Sequence, residues 1–353
     1  MASDRGGVVD AVVLVVGGAG FVGSNLVLAL LGRGARQVVI VDNLLSSDPS
    51  NIPDDPRVRF VFGSINEERC LSAIPPEVNY VFHLACFHGN QSSIADPLSD
   101  HENNARTSLS LFHRLRGVQG LQTVVYAAAA CAVATKTFDD PEPTTEEQPV
   151  SLFHDSPYSI SKIIGELYGN YYYQRYGLPV VKARFSNVYG PREILGAGRW
   201  RGTPHTVWRN VIPTFIWRSL AGEELPLDNG GNTSRDFIFV EDMVRGLIAC
   251  ALRGDPGGIY NLATGRETSI LRLAKLINEL TGNTAPLDLR PARDWDRSGK
   301  RFASTLKSER DLAFRAEVPL EEGLRRTVDW TRANADLVRQ CIANHSKLMA
   351  QAK

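Results

Sequence analysis

Tyr158 and Lys162 are the residues of this chain whose types and spacing best suit acid–base chemistry. They stand four positions apart in Tyr158-Ser-Ile-Ser-Lys162, directly after Pro157 and at the head of a helical run. On a helix that spacing puts both side chains on one face. A phenol is a poor base at neutral pH, and a nearby ammonium stabilises the phenolate and lowers its pKa. Such a pair removes a proton from a hydroxyl while hydride leaves the carbon that bears it. A surface tyrosine and lysine at chance spacing would read the same way, so a site for a hydride acceptor has to decide between them.

That site lies near the N-terminus. Residues 12–23, VVLVVGGAGFVG, run from β-branched residues through Gly17, Gly20 and Gly23 into an apolar helical stretch. The pattern predicts a buried strand, a tight turn and a helix. Gly17 lets the turn close, Gly20 lets the backbone approach a diphosphate, and Gly23 lets the helix pack on the strand. The free N–H groups at the helix start then face the phosphates. The next apolar strand ends at Asp42, about 20 residues after the glycines, where a carboxylate accepts the ribose hydroxyls of an adenosine. No arginine stands beside Asp42 to receive a 2′-phosphate. NAD is expected, rather than NADP.

The elements that must position these residues follow from hydrophobic runs. Strands are expected at 58–64, 80–85, 123–129 and 180–186, with helices at 104–116 and 157–176 between them. The alternation predicts an α/β fold, a doubly wound parallel sheet covered by helices on both faces. Ligands of such sheets sit beyond the carboxyl ends of the strands, here at Gly17, Asp42, Ser64, Ala85 and Ala129. From about residue 187 the chain turns rich in Gly, Pro, Arg and Trp without periodicity, an ordered substrate-binding surface rather than a linker. RDFIFVEDM and GIYNLATG then read as strands returning to the main sheet. Further on come a helix at 269–281, a polar loop around 288–304 and one amphipathic helix at 320–340.

Composition narrows the class. The 353 residues carry 39 basic and 39 acidic side chains, so nothing points to nucleic acid. The five cysteines, Cys70, Cys86, Cys131, Cys250 and Cys341, are odd in number and lack metal-ligand spacing, as expected of reduced thiols in a cytoplasmic protein with no metal site. No apolar run reaches about 18 residues, so no membrane span is expected.

The motifs in order, GGAGFVG, VDN, VFHLA, DP followed by Asn104, YSISK, RFSNVYGPR, RDFIFVEDM and LEEGLRRTVDW, closely resemble those of extended short-chain dehydrogenases/reductases. The similarity is to the NAD-dependent nucleotide-sugar epimerases and dehydratases and runs from Gly17 to about Trp330. It implies a Rossmann-type NAD domain, residues 8–186 with 236–265 returning to it. It also implies a smaller mixed α/β domain, 187–235 and 266–340, for a nucleotide-diphosphate sugar. On the same basis Phe21, Val22, Asn43, Ser64, Ile65, Leu84, Ala85 and Ala127 join the glycines and Asp42 around the cofactor. Ser64 stands where the family usually has an Asp. Asn104 is implied to support the fourth strand, and Ser93 to lie near the sugar. Asn187, Asn210, Arg235 and Arg293 are implied to bind the diphosphate and base, and homodimers to form through helices 104–116 and 157–176. The tyrosines at 168, 171, 172 and 173 fit either that contact or the core.

One departure narrows the reaction. Where the family carries a catalytic Ser or Thr, this chain has Ala129, followed by Ala130 and Cys131. Loss of such a hydrogen-bonding group costs about 10²- to 10³-fold elsewhere; Cys131, Thr135, His154 and Ser156 are candidates to compensate. Dehydratases carry an Asp-Glu pair at the positions of Ala130 and Cys131, and decarboxylases a Glu at the latter. Neither acid is present, and small residues suit a C4 epimerase, whose keto sugar must turn over. Cys131 is then either a small thiol or a proton donor in an unusual elimination. The expected activity is NAD-dependent epimerisation of a UDP-glucose- or UDP-glucuronate-type substrate at C4, with dehydration or decarboxylation as the alternative and a non-catalytic NAD-binding partner protein as a third. Arg192, Arg199 and Arg201 would either meet a sugar carboxylate or lie solvated.

Overall fold

The Val-rich run Val12–Val16 (β1) is buried at every position, as only a central strand covered on both faces can be. In the computed structural model, which describes residues 7–134, 136–292 and 299–352, it is flanked by Gln37–Asp42 (β2), Val58–Phe62 (β3), Tyr80–His83 (β4), Thr123–Ala129 (β5) and Val180–Phe185 (β6). Asn187–Tyr189 (β7), Leu225–Asp228 (β8), Ser234–Arg235 (β9), Phe237–Phe239 (β10), Ile259–Leu262 (β11), Thr268–Ser269 (β12) and Leu287–Arg290 (β13) follow. Seven strands form one sheet in the order β11-β6-β5-β4-β1-β2-β3, all parallel. The protein is thus a Rossmann-type α/β fold. The strand order reverses between β1 and β4, which opens a crevice at their carboxyl ends.

Each face of the sheet has its own core. Leu26 and Leu30 of the Phe21–Gly32 helix and Leu247 of the Val240–Arg253 helix pack on one face. On the other, Leu111, Phe112 and Leu115 of Thr107–Leu115 join Tyr172 of Pro157–Tyr176. A third core gathers Tyr189, Ile212, Phe215, Leu227, Leu273 and Leu324 beyond the sheet.

Several boundaries differ from the sequence reading. The 104–116 helix begins at His101 with a widened π turn before its regular part at Thr107. β11 joins the main sheet beside β6, but β10 pairs with β7, which interrupts a stretch expected to be loop. The polar 288–304 region includes the end of β13, paired in parallel with β8. The expected 320–340 helix is two, Leu320–Ala333 and Ala335–Ala343. Asn334 separates them, its backbone and side-chain N–H groups both donating to Trp330 O. The irregular 191–210 stretch is ordered by packing: Ile194, Leu195 and Ala197 lie buried against Val338 and Cys341 of the Ala335–Ala343 helix, beside Trp208 and Trp330.

Candidate active site

A cavity of about 410 Å³ opens where the strand order reverses, bounded by the β1 turn, the ends of β2, β4 and β5, and the 192–213 segment. At its dinucleotide end the wall is backbone. A Cβ on Gly17, whose φ is +87°, would meet Ala85 N at 2.5 Å, and one on Gly23 would meet Gly17 O at 2.1 Å. These two glycines let turn, strand and helix touch. A Cβ on Gly20 would find only Gly17 O, at 3.2 Å, and would otherwise occupy the cavity. Gly20 also caps the 12-residue helix without a side-chain hydrogen bond, and no acidic residue sits in the first turn. The helix therefore offers its first N–H groups and positive end to an anion.

Asp42 closes this end. It is buried, and its carboxylate accepts from Ala19 N at 3.0 Å, Leu44 N at 2.8 Å and Ser47 Oγ at 3.0 Å. Burial raises its pKa and these donors oppose the rise. The Gly20 N–H also acts on this carboxylate, so the carboxylate is held at the turn between β1 and its helix. The shaped turn, the uncapped helix and the buried carboxylate fit an adenine dinucleotide.

At the other end stand Tyr158 and Lys162. Their helix starts sharply because Ser156 Oγ accepts from Ser159 N and Pro157 occupies the first turn. It lies close on β5 because Gly165 faces the Tyr126 ring, where a Cβ would come within 2.1 Å of the hydroxyl. Lys162 is buried, donates from Nζ to Ala127 O at 2.9 Å, and lies 5.8 Å from the centre of the Tyr158 ring. The expected depression of the tyrosine pKa is not what the structure gives. Burial pushes the Tyr158 phenol well above its ordinary value, with Cys86 and Cys131 adding in the same direction. Desolvation of the phenolate outweighs one ammonium that is itself directed at a carbonyl.

The remaining expected residues fall into three groups. Phe21, Val22, Asn43, Ser64, Ile65, Leu84, Ala85, Ala127, Ala129, Cys131, Asn187 and Asn210 all line the cavity. Ser93, Asn104 and Arg235 stand behind its wall. Ser93 Oγ donates to Asn90 O and accepts from Tyr158 N, which anchors the start of the Pro157–Tyr176 helix. Asn104 accepts from Phe87 N and donates to Asp100 Oδ2 and Ser161 Oγ, tying the loop after β4 to that helix. Arg235 donates to Ser234 O and Gly299 O. Arg293 and Thr135 lie outside the described residues. Of the other candidates to replace the hydroxyl at Ala129, Ser156 serves as the helix cap and His154 is not on the cavity wall.

Sequence reasoning missed Glu193 and Arg209 on the 192–210 segment, and it named Arg192, Arg199 and Arg201 without the protein partners that the structure gives them. Glu193 accepts from Asn210 Nδ2, leaves Oε2 without a partner, and is pushed up to about 7 by burial. Arg209 donates to Ser46 O and Ala197 O, and Arg192 to Ser24 Oγ and Asn51 O. Arg199 donates to Asn43 O from an exposed position. These bonds fasten the segment over the loop that follows Asp42. Arg201 is buried, donates to His88 O at 3.0 Å, and is pushed down to about 9 by burial. The aperiodic sequence carried no signal for them beyond its arginine content.

The family model for the NAD dependent epimerase/dehydratase family matches residues 13–263. The chain belongs to that family. Among solved structures it is similar to the Bordetella bronchiseptica enzyme WbmF in complex with NAD+ and UDP, at 54% identity and a TM-score of 0.88 over 98% of each chain. It is 30% identical to a putative UDP-glucose 4-epimerase of Methanocaldococcus jannaschii, over 91% of this chain and 99% of that one. It is likewise 30% identical to a dTDP-glucose 4,6-dehydratase of an Actinoplanes species, over 91% and 98% respectively. The cavity therefore belongs to an NAD-dependent enzyme family.

Proposed function

We propose that the protein is an NAD-dependent nucleotide-diphosphate-sugar epimerase acting at C4. The observation that carries this reading is the wall facing Tyr158 and Lys162, which is made of Ala129, Ala130 and Cys131. A dehydratase or decarboxylase route needs an acid there, and an epimerase needs room for a keto sugar to turn. Tyr158 takes the proton of the 4-hydroxyl and returns it to the same oxygen once the keto sugar has turned to present the other face of C4. Lys162 keeps positive charge beside the phenol, which the raised phenol pKa makes necessary. NAD, when bound, takes the C4 hydride and gives it back. Gly17 to Gly23 and Asp42 hold that cofactor, and because no net oxidation occurs it stays resident. In this reading the parts 8–186 and 236–265 serve the cofactor, and 187–235 with 266–340 serve the nucleotide sugar. Asn187 and Asn210 reach that ligand from the cavity wall.

A lyase reading has one observation in its favour. Glu193 lines the cavity and keeps its proton up to about pH 7, so it is an acid where the usual acids are missing. Product mass separates the two. Incubation with UDP-glucose, UDP-glucuronate and their galacto counterparts yields an isomer of unchanged mass on the epimerase reading. Loss of water or carbon dioxide identifies a lyase, and no turnover of any of them by NAD-loaded protein overturns both.

The same reading makes the protein a cytoplasmic homodimer. Ile160, Leu167 and Tyr171 form an exposed apolar stripe along the Pro157–Tyr176 helix, while Tyr172 is buried in the core. That stripe suits a second copy. Sedimentation velocity reads the assembly directly, and a monomer at micromolar concentration contradicts it. No helix among the described residues is long and apolar enough to cross a membrane, and all five cysteines are free.

A further inference from the structure

A hydroxyl that reacts inside this cavity needs a polar neighbour besides the phenol, because a polar group held away from water without a hydrogen-bond partner is destabilised. The end of β5 offers none: Ala127, Ala128, Ala129 and Ala130 follow one another along the wall. Tyr158 Oη has no hydrogen-bond partner among the described residues. The aromatic ring that packs edge-on against Tyr158 is His88, with centroids 5.8 Å apart and planes at 73°, and both line the cavity.

His88 has the features of a side chain waiting for a ligand. It lines the cavity, with part of its surface open to that space and the rest enclosed by protein. Among the described residues neither ring nitrogen has a hydrogen-bond partner. Its backbone is nonetheless firmly placed, since Arg201 Nη1 donates to His88 O, and the same guanidinium lies over the Phe87 ring. Phe87 N in turn donates to Asn104 Oδ1 at 2.7 Å. Burial pushes the imidazole down to about 3, with Arg201, Arg209 and Lys162 adding to the effect. A neutral imidazole carries one N–H donor and one acceptor, which is the capacity of a hydroxyl group.

We propose that His88 supplies the hydrogen bond to the reacting sugar hydroxyl that Ala129 cannot make, holding that oxygen against Tyr158. The proposal rests on the epimerase reading. The proton of the sugar hydroxyl goes to Tyr158 Oη, the C4–H bond breaks with its electron pair leaving as hydride, and the C4–O bond becomes a carbonyl. His88 donates its N–H to that oxygen throughout and neither gains nor loses a proton. A chain with a serine at position 129 would have no need of this contact, so a histidine facing the tyrosine and an alanine at 129 compensate one another.

The test is a double-mutant cycle read by kcat, KM and NAD content. His88→Ala is expected to lower kcat about 10²-fold while bound NAD and melting temperature stay unchanged. His88→Asn, which keeps a donor, is expected to retain more activity than His88→Ala. Ala129→Ser placed in the His88→Ala background is expected to restore at least about tenfold of the loss, since it returns a hydroxyl to the vacated role. If His88→Ala does not fold, His88→Leu against His88→Asn carries the same comparison. A His88→Ala enzyme within about threefold of the parent, or no rescue by Ala129→Ser, overturns the proposal. A parent protein that interconverts no nucleotide sugar overturns the epimerase reading instead, so the two failures are distinct.

Discussion

The two ends of the cavity are built from different materials. The dinucleotide end is backbone: three glycines, an uncapped helix start and a single carboxylate fixed by three donors. The sugar end is side chain: Tyr158, Lys162, His88, Glu193, Arg209 and Asn210, drawn from four separate stretches and desolvated together. Backbone walls depend on the absence of a Cβ, so they are sensitive to single methyl groups, and Asp42 is the titratable group that this end adds to them. Side-chain walls depend on charge held in a poorly solvated place, so they respond to protonation.

The sharpest way to break this comparison is at the sugar end. Tyr158→Phe is expected to lower turnover about 10³-fold, or about 4 kcal/mol of activation free energy, with NAD still bound; assay of product alongside released cofactor checks both. Loss of NAD from that variant would mean that the two ends are not separable.

At the dinucleotide end Gly23→Ala forces a Cβ to within 2.1 Å of Gly17 O and is expected to destabilise the fold by about 3 kcal/mol. Gly20→Ala brings its methyl to 3.2 Å from Gly17 O, which must give by only a few tenths of an ångström, and is expected to lower the melting temperature far less than Gly23→Ala while losing NAD affinity at least about tenfold. Chemical denaturation and cofactor titration of the pair separate packing from phosphate approach. Equal effects of the two substitutions would erase the distinction.

Glu193 sharpens the electrostatic side. Its pKa rises from 4.5 to about 7 in the folded protein, so the folded state holds a proton that the unfolded chain releases. Stability from this group is full below pH 4.5 and is lost as pH rises through about 7, by an amount on the order of 3 kcal/mol. Glu193→Gln is expected to flatten the melting-temperature profile across that window. An unchanged profile would show that Glu193 is solvated. The smallest expected effect is Ser156→Ala, about 1 kcal/mol from loss of the helix cap, measured by denaturation.

The same division explains what the sequence made legible. Strands buried on both faces are nearly continuous apolar runs, so β1, β2, β4, β5 and β6 were visible, as was the glycine turn whose constraint is local. Tyr158 and Lys162 were found because helical spacing alone puts them together. Glu193 and Arg209 were not, because an aperiodic segment held by Trp208 and the Ala335–Ala343 helix brings them to the site; nor was His88, which lies in the loop after β4 with its carbonyl held by Arg201. The supporting positions of Ser93 and Asn104 depend on which way a short helix and a π turn face. The direction of the Tyr158 shift depended on desolvation, a property of the assembled cavity and not of neighbours in the chain. The break at Asn334 escaped notice because the amphipathic pattern continues across it.

The central claim is that hydride leaves C4 of a nucleotide sugar and returns to the same carbon within one active site. The most direct measurement uses a UDP-hexose or UDP-hexuronate carrying deuterium at C4 and follows the products by mass and NMR. The account predicts a C4 epimer that retains its deuterium at C4 and has unchanged mass, with NAD still bound to the protein. Deuterium found at another carbon, or a product that has lost water or carbon dioxide, would contradict it.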